Sequence, residues 1–171
     1  MKERDEEEFL ASLIKSWNET RALTHDLINE GPVDKFNEKI SRPGLDTIAK
    51  QILELSSVQM AYVNVLHGEP LNFSEVEGIT FGKQDYIAKS RQELSELLDG
   101  AEKQFRAVLR KRKNWRENVR LFGEDVPSYY VIDLMTRHET LHQGQLIIFC
   151  YILGIKFPDS WVDTWALPQK K

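Results

Sequence analysis

His138 and His142 stand four residues apart in the stretch Met135 to Phe149. On a helix that spacing stacks both imidazoles on one side, because residues four apart differ by only about 40° around the axis. Their stripe also carries Val131, Leu134, Met135, Leu141, Gln145, Phe149 and Ile152, so the sequence predicts that both rings face the core. One core histidine is usually satisfied by a single polar neighbour. Two at this spacing can each give a nitrogen to one divalent ion.

A third candidate ligand lies upstream. Between Thr47 and Leu66 only Lys50 and Glu54 carry charge, and Glu54 falls on the stripe of Gln51, Val58, Ala61, Tyr62 and Val65. A carboxylate desolvated there needs a cation. Either an arginine such as Arg21, on the inner face of the first helical segment, or a metal shared with the two histidines would serve. A structural Glu–Arg or Glu–His pair is the plain alternative.

The same residues also fit a second pattern, His138-Glu139-Thr140-Leu141-His142, in which two zinc ligands flank a glutamate that activates water. A metalloprotease of this type needs a third ligand after the motif. Its extended form puts glycine at 145 and histidine at 148, where this chain has Gln145 and Ile148. Glu139 is expected about 80° from the mid-line of the histidine stripe, toward the edge of the bundle. Peptidase chemistry therefore ranks below a metal site completed by Glu54. Of the remaining candidates, His67 reads as a helix-end residue and His25 as structural. Gln145 reads as a substrate-facing or core amide, and Cys150, set among apolar neighbours, as a buried and inert thiol.

Four helical segments must position these residues. Phe9, Leu10, Leu13, Ile14, Trp17, Thr24, Leu27 and Ile28 recur at steps that give a first helix over about 5–30, stopped by Gly31-Pro32. A second runs from Leu45, behind Pro43-Gly44, to Leu66 and closes at His67-Gly68. It is apolar nearly all round, so it should be buried on more than one side. Ser90-Arg91-Gln92-Glu93 is a capping box, opening a third amphipathic helix carried by Leu94, Leu97, Leu98, Ala101, Phe105, Val108 and Leu109 to about Lys113. The fourth spans about 128–153 and stops at Gly154. No segment alternates with period two between hairpin turns, so no sheet is expected. The reading is all-α: a four-helix bundle in one domain over 1–171, with a long connection between helices two and three that implies a crossover. Trp161 and Trp165 would seal one end.

Composition narrows the function classes. The chain has 171 residues, 41% apolar and 29% charged, enough for one well-buried core. A net charge of −4 argues against a dedicated nucleic-acid binder. The basic run Arg110 to Lys113, with Arg116 and Arg120, reads as the solvated last turn of a helix, mirrored by the acidic run Asp5 to Glu8 at the first helix start. No apolar run is long enough to span a bilayer, and the acidic N-terminus is unlike a signal peptide, so a cytoplasmic protein is expected. Its single cysteine excludes an internal disulfide.

With Glu54, His138 and His142 set on this helical pattern, the chain resembles the DinB/YfiT-like family of metal-dependent four-helix bundles. The resemblance covers nearly the whole chain and rests on Trp17-Asn-Glu-Thr-Arg21, Gly44-Leu-Asp-Thr-Ile-Ala49, and His138-x-x-x-His142-Gln-Gly-Gln145 followed by Leu153-Gly154. It implies a zinc- or nickel-like ion held by one histidine of helix two and the two histidines of helix four. Here Glu54 occupies the helix-two position, so the implied set becomes Glu54, His138 and His142. The resemblance also implies thiol-dependent S-transferase or isomerase chemistry, with a low-molecular-weight thiol as cofactor, or hydrolysis of a small electrophilic substrate. A second copy of the chain stands as a candidate partner, with no nucleic acid and no membrane. The competing class is a non-catalytic bundle with a structural Glu–His network.

Overall fold

The computed structural model describes residues 3–42, 44–73 and 85–168. Five helices are present: α1 (Glu3–Glu30), α2 (Ile48–Leu66), α3 (Arg91–Lys111), α4 (Tyr129–Leu153) and the short α5 (Asp159–Trp165). The local signals act where the sequence places them. Thr47 accepts a hydrogen bond from Lys50 N at the start of α2, and Ser90 accepts one from Glu93 N at the start of α3, both at 3.1 Å. The Glu93 carboxylate then accepts from Lys89 N at 2.8 Å rather than from Ser90 N. Gly154 ends α4 in the left-handed region at φ 65°, where glycine alone is unstrained.

Cross-helix contacts fix the directions. Phe9 meets Tyr129, and Arg21 meets Glu139, so α1 and α4 run parallel. Ser56 Oγ donates to Leu97 O, and Arg112, just past α3, donates to Leu66 O, so α2 and α3 also run parallel. Asn18 pairs with Arg106, and Ile28 O with Arg91, which sets α1 antiparallel to α3. Gln51 faces His142 while Glu54 reaches His138, so α2 opposes α4. The bundle is up-down-down-up. The parallel course of α2 and α3 agrees with the crossover expected between them; residues 74–84 of that connection lie outside the described ones.

The core consists of two apolar clusters. One gathers Leu27, Ile48, Ile52, Leu98, Phe149 and Trp161; the other gathers Trp17, Tyr62, Phe105, Val108, Ile132 and Met135. Both draw on all four long helices. Trp161 is fully buried with its indole N–H on Leu23 O at 2.5 Å, whereas Trp165 stays 36% exposed, so only the first tryptophan seals the end. Cys150 is buried, and burial pushes its thiol up to about 12. Among the described residues no helix is long and apolar enough to cross a membrane.

Three expectations need correction. A two-stranded antiparallel hairpin, β1 (Asn118–Leu121) with β2 (Glu124–Pro127), lies between α3 and α4. Its strands are too short to show a period, and its turn is Phe122-Gly123, both at positive φ, instead of the usual Asn-Gly. Second, Leu141 and Ile152 are about 60% exposed, so the buried stripe of α4 is rotated from the one predicted. It runs through Val131, Ile132, Met135, Glu139, His142, Gln143, Leu146 and Phe149. Third, only Arg110 and Lys111 of the basic run lie in the last turn of α3; Arg112 leaves the helix to bond the Leu66 carbonyl that ends α2.

Gly31 follows α1 where the chain folds back on itself. A Cβ there would stand 2.5 Å from the Phe36 ring and 2.6 Å from Leu27 O, and neither a buried ring nor a backbone carbonyl can step aside cheaply. Gly31→Ala is therefore expected to destabilise the fold by about 1–3 kcal/mol, seen as a lower urea midpoint with an unchanged slope.

Candidate metal centre

Between the two apolar clusters lies a layer of polar side chains: Arg21 and Thr24 from α1, Gln51 and Glu54 from α2, and Glu139, His142 and Gln143 from α4. Within it, Glu54, His138 and His142 bring one ligand atom each to within 4.8 Å of one another. The helix spacing read from the sequence does this directly. Both imidazoles project from α4 toward Glu54 on the antiparallel α2, with His142 Nε2 2.5 Å from Glu54 Oε2 and 3.2 Å from His138 Nε2. His138 Nε2 is 3.9 Å from Glu54 Oε1.

A backbone carbonyl dictates the protonation pattern. Gln51 points its amide nitrogen at Leu45 O, which can only accept, at 3.0 Å. The Gln51 oxygen must therefore be the atom 2.5 Å from His142 Nδ1, and that nitrogen must carry hydrogen. In the neutral ring the proton on Nδ1 leaves Nε2 as a bare lone pair, aimed at a carboxylate oxygen. Apart from this contact Glu54 Oε2 has no hydrogen-bond partner among the described residues, so in that tautomer a lone pair would meet a carboxylate oxygen. Such an approach is repulsive unless a cation, proton or metal ion, lies with it. Burial alone would raise the Glu54 carboxyl; the hydrogen bonding and charge of His138 and His142 outweigh burial and hold it at about 2.

The donor set fits a divalent transition ion. Ligand bonds near 2.0–2.2 Å at tetrahedral angles put neighbouring donor atoms about 3.4 Å apart. The three observed separations, 2.5, 3.2 and 3.9 Å, straddle that value. Two imidazoles and one carboxylate leave a fourth position for a small molecule. His142 is anchored, with its side chain 4% exposed, while His138 and Glu54 are 20% and 13% exposed and open the centre to solvent.

Arg21, a sequence candidate for neutralising Glu54, pairs instead with Glu139, at 2.9 Å. Glu139 is 1% exposed and also accepts from Thr24 Oγ1 at 2.6 Å, so its expected position at the bundle edge is corrected. A buried glutamate held by a guanidinium and a hydroxyl is tied into the core rather than presented to a water on the two histidines, which argues against the H-E-x-x-H peptidase pattern. Gln145 accepts from Gln51 at 3.1 Å and from Arg42 at 2.9 Å, bracing the amide that orients His142. Sequence reasoning placed Gln51 on the Glu54 stripe without a role. Its signal was there: three residues before Glu54 on one helix, a polar side chain faces the same partner.

His67 is the exposed C-cap residue of α2. His25 sits 3.7 Å from both Asp99 and Glu102 on α3, forming a second group of candidate ligands, though Arg106 already donates to Glu102 at 2.6 Å.

An up-down-down-up helical bundle with a histidine–carboxylate cluster between α2 and α4 is the class that fold and site define. A sequence model of the DinB family matches residues 3–163, and the chain belongs to that family. The crystal structure of a DinB-like protein from Bacillus cereus superposes with a TM-score of 0.68 at 13% identity, covering 85% of this chain and 93% of that one, a likeness of fold. No curated protein matches the chain.

Two outcomes follow from the charged pairs. Glu139→Gln strands the Arg21 guanidinium in the core, and unfolding should show a loss of about 3–5 kcal/mol, with divalent-metal uptake retained. The hydrogen bond from His25 and, next, that from Arg106 hold Glu102 at about 2 against an ordinary 4.5. A carboxyl depressed on folding adds stability that is present above about pH 4.5 and lost as pH falls toward 2. Acid unfolding of Glu102→Gln should therefore be flatter across that window than that of the unaltered protein.

Proposed function

We propose that this chain is a divalent-metal-dependent enzyme whose ion, zinc or nickel, is held by Glu54, His138 and His142. The observation that carries the reading is the convergence of one ligand atom each from Glu54, His138 and His142 within 4.8 Å of one another, with Gln51 holding hydrogen on His142 Nδ1 so that Nε2 is free to act as the ligand. When bound, the ion supplies Lewis acidity that lowers the pKa of a thiol or water nucleophile. The chain's own residues supply the rest. Gln51 and Gln145 fix the His142 ring, the exposed edge of His138 admits the reactants, and Tyr62 and Phe73 wall the opening with ring centroids 6.2 Å apart. Burial, followed by the charge of Glu54, pushes the Tyr62 hydroxyl up to about 12, so it stays a neutral phenol. Small electrophiles suit such an opening. Family resemblance points to transfer or isomerisation with a low-molecular-weight thiol, or to hydrolysis.

Protons alone could also close the triangle, as imidazolium–carboxylate pairs in a non-catalytic bundle, and the ion-pair distance between Glu54 and His142 favours that second reading. Elemental analysis of protein purified without a metal-affinity tag separates the two. A single bound ion per chain is expected, and chelation should lower the melting temperature; saturation about 100-fold above Kd is worth about 2.7 kcal/mol. Glu54→Gln should weaken uptake, because a neutral amide is a poor ligand, and Glu54→His should restore it. If both variants merely lose stability and metal uptake is nil throughout, the centre is structural.

A further inference from the structure

Two buried hydrogen-bond donors beside the centre have no acceptor among the described residues: Arg21 Nη1 and Gln59 Nε2. Both residues are 3% exposed. The Gln59 amide cannot be turned to hide its donor, because Arg21 Nη2 donates to its oxygen and so fixes the nitrogen on the free side. The charge of Arg21 is already met by Glu139. What is left over is two N–H groups without a counter-ion to find, a pairing suited to the lone pairs of one oxygen.

There is room for that oxygen. Arg21 and Gln59 line a cavity of about 10 Å³ together with Tyr62, His138, Glu139 and Met135. That is space for a single oxygen-sized group, and no more. His138 forms a wall of the cavity and is also a member of the Glu54–His142 cluster, so an oxygen held there lies next to the centre.

We propose that Arg21 and Gln59 form a receiving site for one carbonyl or carboxylate oxygen of the substrate, held beside the Glu54–His138–His142 centre. The inference rests on the metal-dependent reading above and narrows it to small electrophiles that carry such an oxygen next to the reacting carbon. It also assigns Arg21 and Gln59 as specificity-determining residues. A site built from unpaired donors discriminates strongly against analogues that lack the acceptor, since those leave both donors unsatisfied.

Acetate serves as the probe, titrated by calorimetry into metal-loaded protein, with azide as a control anion that needs only the metal. Gln59→Met removes a donor at nearly constant volume and charge. It should weaken acetate by about tenfold or more and leave azide affinity and metal content unchanged. Arg21→Lys keeps a cation for Glu139 while removing Nη1, and should do the same if Gln59→Met does not fold. Equal acetate affinity in the original protein and the folded variants overturns the proposal and leaves the cavity as a site for one structural water. Metal content is measured first, so a protein without metal overturns the metal reading by itself. In that case a shift of the Gln59 side-chain amide resonance on adding acetate supports the receiving site, and no shift overturns it.

Discussion

Two carboxylates share the middle layer of one small bundle, and each must be neutralised there. Taking an ion out of water costs several kcal/mol even after relaxation, so a buried carboxylate with no cation would protonate or unfold the layer. Glu139 meets the requirement inside the protein, through Arg21 and Thr24. Glu54 instead faces two imidazoles, whose nitrogens can meet it with protons or share a metal ion with it. The two apolar clusters above and below hold the helices together whichever way Glu54 is satisfied. The fold is thus secured by hydrophobic packing and the closed pair, and the open pair is left as the chemically unfinished part of the molecule.

That incompleteness is arranged by a relay of forced choices. A backbone carbonyl cannot donate, so Gln51 must present its nitrogen to Leu45; its oxygen must then take the hydrogen of His142 Nδ1; the ring is thereby held with Nε2 turned to Glu54. Each step removes a rotational alternative before any ligand arrives. Gln145 and Arg42 extend the same relay toward the surface. Preorganisation of this kind lowers the reorganisation needed when a ligand or transition state is bound, because the polar groups already point where they are needed.

Helix ends and the i,i+4 histidine pair were legible in the sequence because they depend on neighbours a turn away: Thr47, Ser90 and Gly154 act through local backbone groups, and His138 and His142 share a face on any helix. The isolated charge of Glu54 was legible too, as an exception in an apolar run. What could not be read depends on which elements meet. Apolar periodicity puts Glu139 at the edge of the bundle, yet α4 buries Glu139 and Gln143 because α1 supplies Arg21 and Thr24 opposite them, and this turns Leu141 and Ile152 to solvent. The hairpin escaped because four-residue strands carry no measurable period and its turn uses phenylalanine where asparagine is usual. Arg21 was rightly seen on the inner face of the first helix, but choosing between two buried glutamates required knowing the packing.

The parallel course of α2 and α3 has a consequence for how the protein comes together. Gln51 and His142 are separated by 91 residues, and Arg21 and Glu139 by 118. The contacts that join α4 to α1 and α2 therefore all close long stretches of chain. Closing long loops costs entropy before any contact repays it, and domains dominated by distant pairings fold more slowly than bundles of adjacent hairpins. Helical turns and capping contacts depend on neighbours in the chain, while the middle layer depends on α4, the last long helix. A chain interrupted before α4 would contain Glu54 and Gln51 without His138 and His142, so the cluster exists only once the last long helix has packed.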